Sequence, residues 1–261
     1  SIELSDGRQL QMTYSGGRND RVVFLGEYEP LLTQVCSDLI QSGDICVDAG
    51  ANFGWYTTLF ARLVGPAGEV HAFEPVAAAF EELERNVRLV PNNQHIRLNK
   101  AALGDRDADI EINVFPSMGL GYSSIADRGR SDAVACPCRM VMLDTYWGYH
   151  VCREISFLKG DVEGAELLVL KGSTSILNQK RPPILFMEMS ANLTANFGYT
   201  PMDFLSFVSE RGAYEFFAAD EVNNSIRKLD RSHKERVEAN IFCIPSSMAG
   251  ERRQRLNKYI K

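Results

Sequence analysis

The chain lacks any long apolar run. None of its segments reaches the roughly 20 consecutive apolar residues that a membrane helix needs. Residues 1–7 also lack the basic region followed by an apolar one that marks a secretory signal. We therefore expect a soluble, cytoplasmic protein with no membrane partner. The first residue is Ser rather than Met, which is typical of a trimmed tag or of a piece cut from a longer polypeptide.

The sequence also lacks an excess of positive charge. It contains 28 Lys and Arg residues against 34 Asp and Glu residues, so its net charge is −6. Such a field repels the phosphates of nucleic acid and favours a neutral or cationic ligand. We therefore expect no nucleic-acid partner.

The cysteines show neither the pattern of a disulfide framework nor that of a zinc site. The six cysteines are scattered, and Cys136 and Cys138 are separated by one residue instead of the two in a redox or zinc C-x-x-C pair. We expect reduced, intracellular thiols. A hydrophobic fraction of 45% with 24% charged residues excludes a disordered chain and indicates an ordinary globular one.

Strand and helix patterns alternate over the first 103 residues, which predicts a parallel sheet covered by helices on both faces. The spacing of apolar residues predicts helices over 29–41, 55–64 and 80–90, with strands over 45–47, 70–73 and 96–103.

The remaining residues give a less regular pattern. Strict alternation predicts a half-exposed edge strand over 109–115. Residues 116–135 are rich in Gly, Ser and charge and predict a long loop, a candidate substrate lid. Further predicted elements are strands over 155–158 and 184–189, helices over 167–177 and 200–211, an antiparallel pair over 214–217 and 241–244, and a solvated basic terminal helix over 251–261.

No repeat and no linker divides the chain. We expect a single domain over residues 1–261, with N-terminal cap strands and a helix over 1–43 and a cofactor-binding and catalytic core over 44–261.

Residues 48–54 (Asp-Ala-Gly-Ala-Asn-Phe-Gly) lie between a predicted strand and a predicted helix. In a doubly wound sheet, this turn is where ligands bind. Gly50 would let backbone approach a ligand, and Gly54 would let the helix start close to the sheet. Glu74 ends the next strand, where its carboxylate can accept hydrogen bonds from two ribose hydroxyls. Together these features predict a cofactor that contains a nucleoside.

A dinucleotide is the competing cofactor. Its fingerprint G-x-G-x-x-G has a third glycine that this chain lacks. The acid Asp48 would oppose a pyrophosphate but suits the ammonium or sulfonium of S-adenosylmethionine. A structural alternative is that the glycines only close a tight turn. The position of Glu74 at the end of the next strand weighs against this alternative.

Six segments, in order and at similar spacing, resemble the FkbM-type methyltransferases over nearly the whole chain. The resemblance implies a class I methyltransferase (Rossmann-like) fold, with a mostly parallel seven-stranded sheet, helices on both faces and an antiparallel last strand. It implies S-adenosylmethionine-dependent methylation of a hydroxyl of a small molecule, either a natural-product or polyketide intermediate or a sugar. The chain departs from the family's usual pattern at Gly160, where an aliphatic residue is the rule. The segments are residues 26–30, 47–57, 72–75, 102–105, 143–144 and 157–166.

The resemblance also implies roles for single residues. The loop would hold the methionine part of the cofactor, Glu74 would bind the ribose, and Pro75 would shape the turn. Tyr56 and Thr57 would reach the cofactor carboxylate, although Tyr56 fits the core equally well. Glu29 would close the cofactor pocket or face the acceptor, and its alternative is a helix first-turn acid. The remaining cofactor candidates are Asp48, Gly50, Ala51, Asn52 and Gly54 in the loop, and Ala102 and Leu103 beside the adenine.

Methyl transfer to an alcohol also needs a base or a metal to remove the hydroxyl proton. Crowded carboxylates at neighbouring strand ends would raise one another's pKa or bind a divalent cation such as Mg²⁺. By analogy with catechol-type methyltransferases, Asp161 and Glu188 are the metal candidates. Glu166 fits better as a helix-dipole acid, and His150 is an alternative base. The catalytic candidates are Lys159, Asp161, Glu163 and Glu188.

The sequence therefore predicts an O-methyltransferase with a small-molecule hydroxyl acceptor, either free-standing or as one domain of a larger biosynthetic enzyme. Two alternatives stay open at this point. One is an NAD(P)-dependent oxidoreductase on a similar sheet, and the other is a domain that binds the cofactor without turnover.

Overall fold

A computed structural model describes residues 1–11, 26–115, 123–126, 131–148, 153–229 and 237–261. In chain order the first elements are β1 (Ile2–Glu3), β2 (Gln9–Leu10), α1 (Pro30–Leu39), β3 (Ile45–Ala49), α2 (Trp55–Val64), β4 (Glu69–Phe73), α3 (Ala77–Arg88), β5 (Ile96–Asn99) and β6 (Ala102–Leu103). Next come β7 (Ala108–Val114), β8 (Ser123–Ser124), β9 (Val134–Val141), α4 (Leu143–Gly148), β10 (Phe157–Gly160), α5 (Glu166–Lys171), α6 (Thr174–Leu177) and β11 (Ile184–Ser190). The last are α7 (Ala191–Ala195), α8 (Pro201–Arg211), β12 (Tyr214–Asp220), β13 (Ser225–Lys228), β14 (Glu238–Pro245) and α9 (Glu251–Asn257).

The main sheet has the strand order β13-β12-β14-β11-β10-β3-β4-β5. The five strands from β11 to β5 are parallel, and β14 lies antiparallel between β11 and β12. The predicted α/β fold with an antiparallel last strand is confirmed. β3 pairs with β4 on one side and β10 on the other, so its carboxyl end is the switch point of the sheet.

Two details of the predicted sheet are wrong. The sheet contains an eighth strand, β13, which pairs antiparallel with β12 where we predicted only a charged connection. The strand predicted over 96–103 is interrupted, because the chain bends at Lys100 and Ala101. Its second half becomes β6 and pairs with β9 instead of β4.

A second sheet has the order β6-β9-β7-β8. β7 matches the alternating segment but is paired on both sides, so it is not the predicted edge strand. Its alternation instead reflects a buried face, where Ile112 packs against Val76 and Ala79. The predicted loop over 116–135 contains β8 and the start of β9, and its residues 116–122 and 127–130 lie outside the described ranges.

The helix predicted over 167–177 is two helices, α5 and α6. The chain changes direction at Gly172 and Ser173, where a Cβ on Gly172 would lie 1.9 Å from the carbonyl oxygen of Gly104. The close approach of these two backbones therefore ends α5.

Apolar side chains cover both faces of the main sheet. Successive residues of β10 point to opposite faces, so Phe157 packs in one core and Leu158 in the other. The C-terminal helix α9 closes one core: Leu256 is buried, and Arg252 lies 2.6 Å from Asp44. The interpretation of this segment as a solvated helix was wrong, because α9 contacts α1 and buries Leu256 in the core. Within the described residues, no helix has both the length and the hydropathy to cross a membrane.

Candidate active site

The loop between β3 and α2 depends on left-handed backbone at Gly50 (φ 74°), Asn52 (φ 50°) and Gly54 (φ 94°). A Cβ on Gly50 would lie 1.8 Å from the carbonyl oxygen of Asp161. The backbone of the loop after β10 therefore occupies the space at Gly50 that we expected a ligand to use. Gly50 and Ala51 both donate their N–H groups to the carbonyl of Phe73, at 3.0 Å.

Glu74 follows β4 and faces this loop. Its carboxylate accepts one hydrogen bond from the N–H of Asn52 (2.8 Å) and one from the N–H of Val76 (2.9 Å). The residue is 5% exposed, and burial raises the pKa of Glu74 to about 7. Each oxygen has one backbone partner and keeps a lone pair for a further donor.

A cleft with an empty volume of about 610 Å³, its open mouth included, lies over the carboxyl end of the sheet. It gathers eight of the predicted residues: Gly50, Asn52, Glu74, Pro75, Ala102, Leu103, Asp161 and Glu163. A further wall comes from Ile112 of β7 and from residues 123–125, which lie within the loop predicted as a substrate lid. Sequence reasoning missed Ile112 as a residue of the site. The buried side of the β7 alternation was the available signal for Ile112.

Three predicted cofactor contacts, Asp48, Tyr56 and Thr57, lie beneath the loop. Six of the predicted cofactor residues do not line the cleft: Glu29, Asp48, Ala51, Gly54, Tyr56 and Thr57. Asp48 is fully buried, and it accepts a hydrogen bond from the Thr57 hydroxyl at 2.6 Å. Tyr56 is also buried, and its hydroxyl donates to Glu29 at 2.6 Å. Neither Tyr56 nor Thr57 lines the cleft, because both are buried in this part of α2. The core alternative for Tyr56 fits.

Lys159 lies at the centre of these buried groups and is 3% exposed. Its Nζ is 3.2 Å from a carboxylate oxygen of Asp48 and 3.7 Å from one of Asp161, and it donates to the Gly50 carbonyl at 3.3 Å. Burial disfavours the charged amine, but the carboxylates of Asp48 and Asp161 outweigh burial and raise the pKa of Lys159. Lys159 is therefore a counter-ion, and the prediction of a catalytic lysine is replaced by an electrostatic role.

Asp161 and Glu188 are brought together as predicted, at the ends of adjacent strands. The charge of Asp161, then burial and a hydrogen bond between the two side chains, raise the pKa of Glu188. Asp161 also lines the cleft, and its side chain is 40% exposed. The carboxylate of Asp161 therefore favours the protonated form of Glu188 beside it.

Gly160 leaves the strand next to Asp161 intact. It pairs with Ala49 and Met187 in the neighbouring strands. A Cβ on Gly160 would lie 2.5 Å from the sulfur of Met187. Met187 therefore fills the space that the family's aliphatic residue would need.

Glu166 stabilises the loop after β10 through hydrogen bonds. Its carboxylate accepts hydrogen bonds from the N–H groups of Val162 (3.0 Å) and Gly164 (3.2 Å). Burial raises the pKa of Glu166 to about 7. The structural alternative that we favoured for this residue fits, although the partners are loop amides instead of the helix dipole.

Glu29 stands at the start of α1 in a left-handed conformation (φ 45°) and is half-buried. Burial raises the pKa of Glu29 to about 7, and the hydrogen bond from Tyr56 opposes this rise. The charges of Asp161 and Lys159 also act on it. Glu29 therefore interacts with Tyr56, Asp161 and Lys159 and does not act as a simple first-turn acid.

Neither metal binding nor the alternative base gains support from the geometry. Within the part of the chain that the structure describes, no three His, Cys, Asp or Glu side chains are grouped to hold a metal ion. The predicted metal pair, Asp161 and Glu188, thus has no third ligand of these types among the described residues. His150 lies outside the described ranges.

The strand order, with a cleft at the switch point and an acid after β4, is that of the class I methyltransferase fold. A model of the methyltransferase FkbM domain matches residues 48–219, and the chain belongs to the FkbM methyltransferase family.

Curated relatives share limited identity with the chain. It is 27% identical over 165 residues to methyltransferase 1 of Beauveria bassiana, covering 56% of this chain and 65% of that protein. It is 27% identical over 174 residues to methyltransferase sdnD of Sordaria araneosa, covering 56% and 67%. It is 33% identical over 81 residues to the 31-O-demethyl-FK506 methyltransferase FkbM of Streptomyces tacrolimicus, covering 31% and 30%. The matched region thus spans two thirds or less of each relative's length.

A solved structure shares the fold. The methyltransferase FkbM from Methylobacillus flagellatus superposes with a TM-score of 0.51 at 14% sequence identity, covering 77% of this chain and 44% of that one.

Proposed function

We propose that the chain is an O-methyltransferase that methylates a hydroxyl group of a small molecule, such as a natural-product intermediate or a sugar. The observation that carries this proposal is the carboxyl group of Asp161, which lines the same cleft as Glu74 and is paired with Glu188 behind it. An alcohol needs a proton acceptor at the reacting oxygen, and this pair supplies one. The name of the Streptomyces relative, a 31-O-demethyl-FK506 methyltransferase, agrees with oxygen as the acceptor atom.

The residues of the cleft fit S-adenosylmethionine. Glu74 keeps lone pairs for ribose hydroxyls, since each of its oxygens accepts one backbone N–H. Ala102, Leu103 and Ile112 offer an apolar wall suited to adenine. Gly50 and Asn52 would hold the methionine part, above the buried Asp48. When bound, the cofactor supplies a methyl group on a positively charged sulfur.

The carboxyl pair acts on the acceptor. Asp161 lines the cleft and would take the proton of the acceptor hydroxyl. Glu188 would keep Asp161 in place through the hydrogen bond between the two side chains. Lys159 stays charged beside Asp161 and holds it in place. Much of the rate then comes from alignment, because the reaction is an in-line displacement.

The cofactor is tested by calorimetric titration with S-adenosylhomocysteine, NAD and NADP on the wild type and on Glu74→Gln. We expect the wild type to bind S-adenosylhomocysteine and neither dinucleotide. Loss of the Glu74 charge should weaken binding by about 10- to 100-fold, since charge-assisted hydrogen bonds are worth roughly 1.5–3 kcal/mol. Binding of a dinucleotide instead would remove the proposal.

The acceptor atom is tested with S-adenosylmethionine that carries a ¹³C methyl group, incubated with hydroxylated and aminated small molecules, with and without magnesium. Oxygen- and nitrogen-bound methyl carbons resonate at different shifts. A product with an oxygen-bound label supports the proposal, and a nitrogen-bound label contradicts it. Cofactor binding without any transfer across the panel would favour a binding domain over an enzyme.

A further inference from the structure

Residues 161–165 form one wall of the cleft. Asp161, Val162, Glu163 and Ala165 all line the cleft. The same segment touches the loop after β3, backbone against backbone, at Gly50. The position of this segment therefore sets both the shape of the cleft and the place of Asp161.

The segment adopts a conformation that one of its residues does not favour. Glu163 (φ 57°) and Gly164 (φ 100°) are both left-handed. A left-handed backbone is unfavourable for a residue with a Cβ, such as Glu163. A Cβ on Gly164 would lie 2.6 Å from the carbonyl oxygen of Leu193 in α7. Contacts from outside the segment must therefore hold it in place.

Tyr199 supplies such contacts from a remote part of the chain. It lies between α7 and α8 and is 8% exposed. Its hydroxyl donates to the carbonyl of Gly164 at 2.7 Å and accepts from the N–H of Leu167 at 3.3 Å. It also lies 3.4 Å from the carboxylate of Glu166, which binds the amides of the same segment.

Tyr199 also forms a hydrogen bond with α7. Its N–H donates to the carbonyl of Thr194 at the end of α7, at 3.4 Å. Asn192 and Leu193 of α7 line a second cavity together with Glu188. Tyr199 thus connects the wall formed by residues 161–165 with α7, which lines a cavity together with Glu188.

We infer that Tyr199 is a positioning residue for methyl transfer: its hydroxyl fixes the Gly164 carbonyl and thereby places Asp161 and the wall of the cleft. This inference rests on the proposed use of the cleft for S-adenosylmethionine. The six segments that resemble the family did not predict this role, because Tyr199 is 35 residues from Gly164.

Tyr199→Phe tests the inference, with Tyr214→Phe as the matched control. Phenylalanine keeps the ring, so each core stays filled. Tyr214 is equally buried, and its hydroxyl donates to the carbonyl of Pro183 at 3.0 Å, at the start of β11 and away from the cleft. Both variants lose a buried hydroxyl–carbonyl hydrogen bond and should lose similar thermal stability.

The two variants should differ in two other measurements. By calorimetry, Tyr199→Phe should bind S-adenosylhomocysteine about tenfold more weakly, because small displacements of a binding wall are costly. By hydrogen exchange of the free protein, the amides of residues 162–165 should exchange faster. Tyr214→Phe should match the wild type in both.

The outcomes separate this inference from the proposed function. If Tyr199→Phe only lowers the melting temperature, with wild-type affinity and exchange at 162–165, the inference is wrong and the cofactor assignment stands. If the wild type fails to bind S-adenosylhomocysteine, the proposed function is wrong, and unchanged exchange at 162–165 in the free protein still overturns the positioning role.

Discussion

Lys159 neutralises a carboxylate that has no access to water. Asp48 is fully buried, and the Lys159 amine lies 3.2 Å from it. An unpaired buried charge is expensive, whereas an exposed ion pair contributes little. The pair therefore matters first for the stability of the loop, and only through the loop for the reaction.

Lys159→Met should destabilise the protein by about 3–5 kcal/mol in urea unfolding, because it leaves Asp48 buried without its counter-ion. Lys228→Met is the control, since it removes a lysine that is 59% exposed from its pair with Glu215. That substitution should cost about 0–1 kcal/mol. Equal losses in the two variants would show that Asp48 is stabilised by other groups.

Single residues were predictable where their role follows from the end of a strand. Glu74, Asp161 and Glu188 each end or follow a parallel strand, and such positions meet at one edge of the sheet. Whether Tyr56 and Thr57 face the cleft depends on how α2 is rotated about its axis, and the structure buries both. That rotation is set by packing against the sheet.

At the scale of elements, the loops after β3 and β10 are built as one unit. The carbonyl of Asp161 occupies the space where Gly50 would carry a Cβ, and the N–H of Asp161 donates to the Ala49 carbonyl at 3.1 Å. The glycine is therefore required by the neighbouring strand as much as by its own turn.

Gly50→Ala should lower stability by several kcal/mol and abolish S-adenosylhomocysteine binding, because its Cβ would lie 1.8 Å from backbone. Gly198→Ala separates this clash from conformational strain. Gly198 has a similar φ of 72°, but a Cβ there meets nothing within 4 Å. That control should cost about 1–2 kcal/mol, the strain of a left-handed residue. Urea unfolding and calorimetry measure both effects, and similar results for both variants would contradict the clash.

Over the whole molecule, three buried or half-buried glutamates couple stability to pH. Burial raises the pKa of Glu29, Glu74 and Glu166 to about 7 each. A carboxyl group with a raised pKa in the folded state binds more protons folded than unfolded. Its contribution to stability is therefore full at low pH and is lost as the pH rises through about 7.

Glu166→Gln isolates this effect, because glutamine keeps an acceptor for the loop amides but does not titrate. We expect the wild type to lose about 3 kcal/mol relative to the variant between pH 4.5 and 8, the equivalent of a pKa change from 4.5 to about 7. Urea unfolding at several pH values gives the difference in free energy. A constant difference would show that Glu166 does not titrate in this range.

The sequence by itself determined the class of fold and the place of the site. Apolar periodicity and the glycine loop predict parallel strands and a switch point, since these patterns act over a few residues. The ordered segments predicted the family. Such local signals also placed Glu74 and the Asp161–Glu188 pair.

Only the tertiary structure decided which side chains face the cleft. The departure of β6 to a second sheet, the wall from Ile112 and Ser124, and the Tyr199 contact to Gly164 all join residues distant in sequence. Packing also decided charge. The carboxylates of Asp48 and Asp161 raise the pKa of Lys159 and make it a counter-ion, and burial raises the pKa of three glutamates. These properties depend on packing between elements, which apolar periodicity along one chain does not specify.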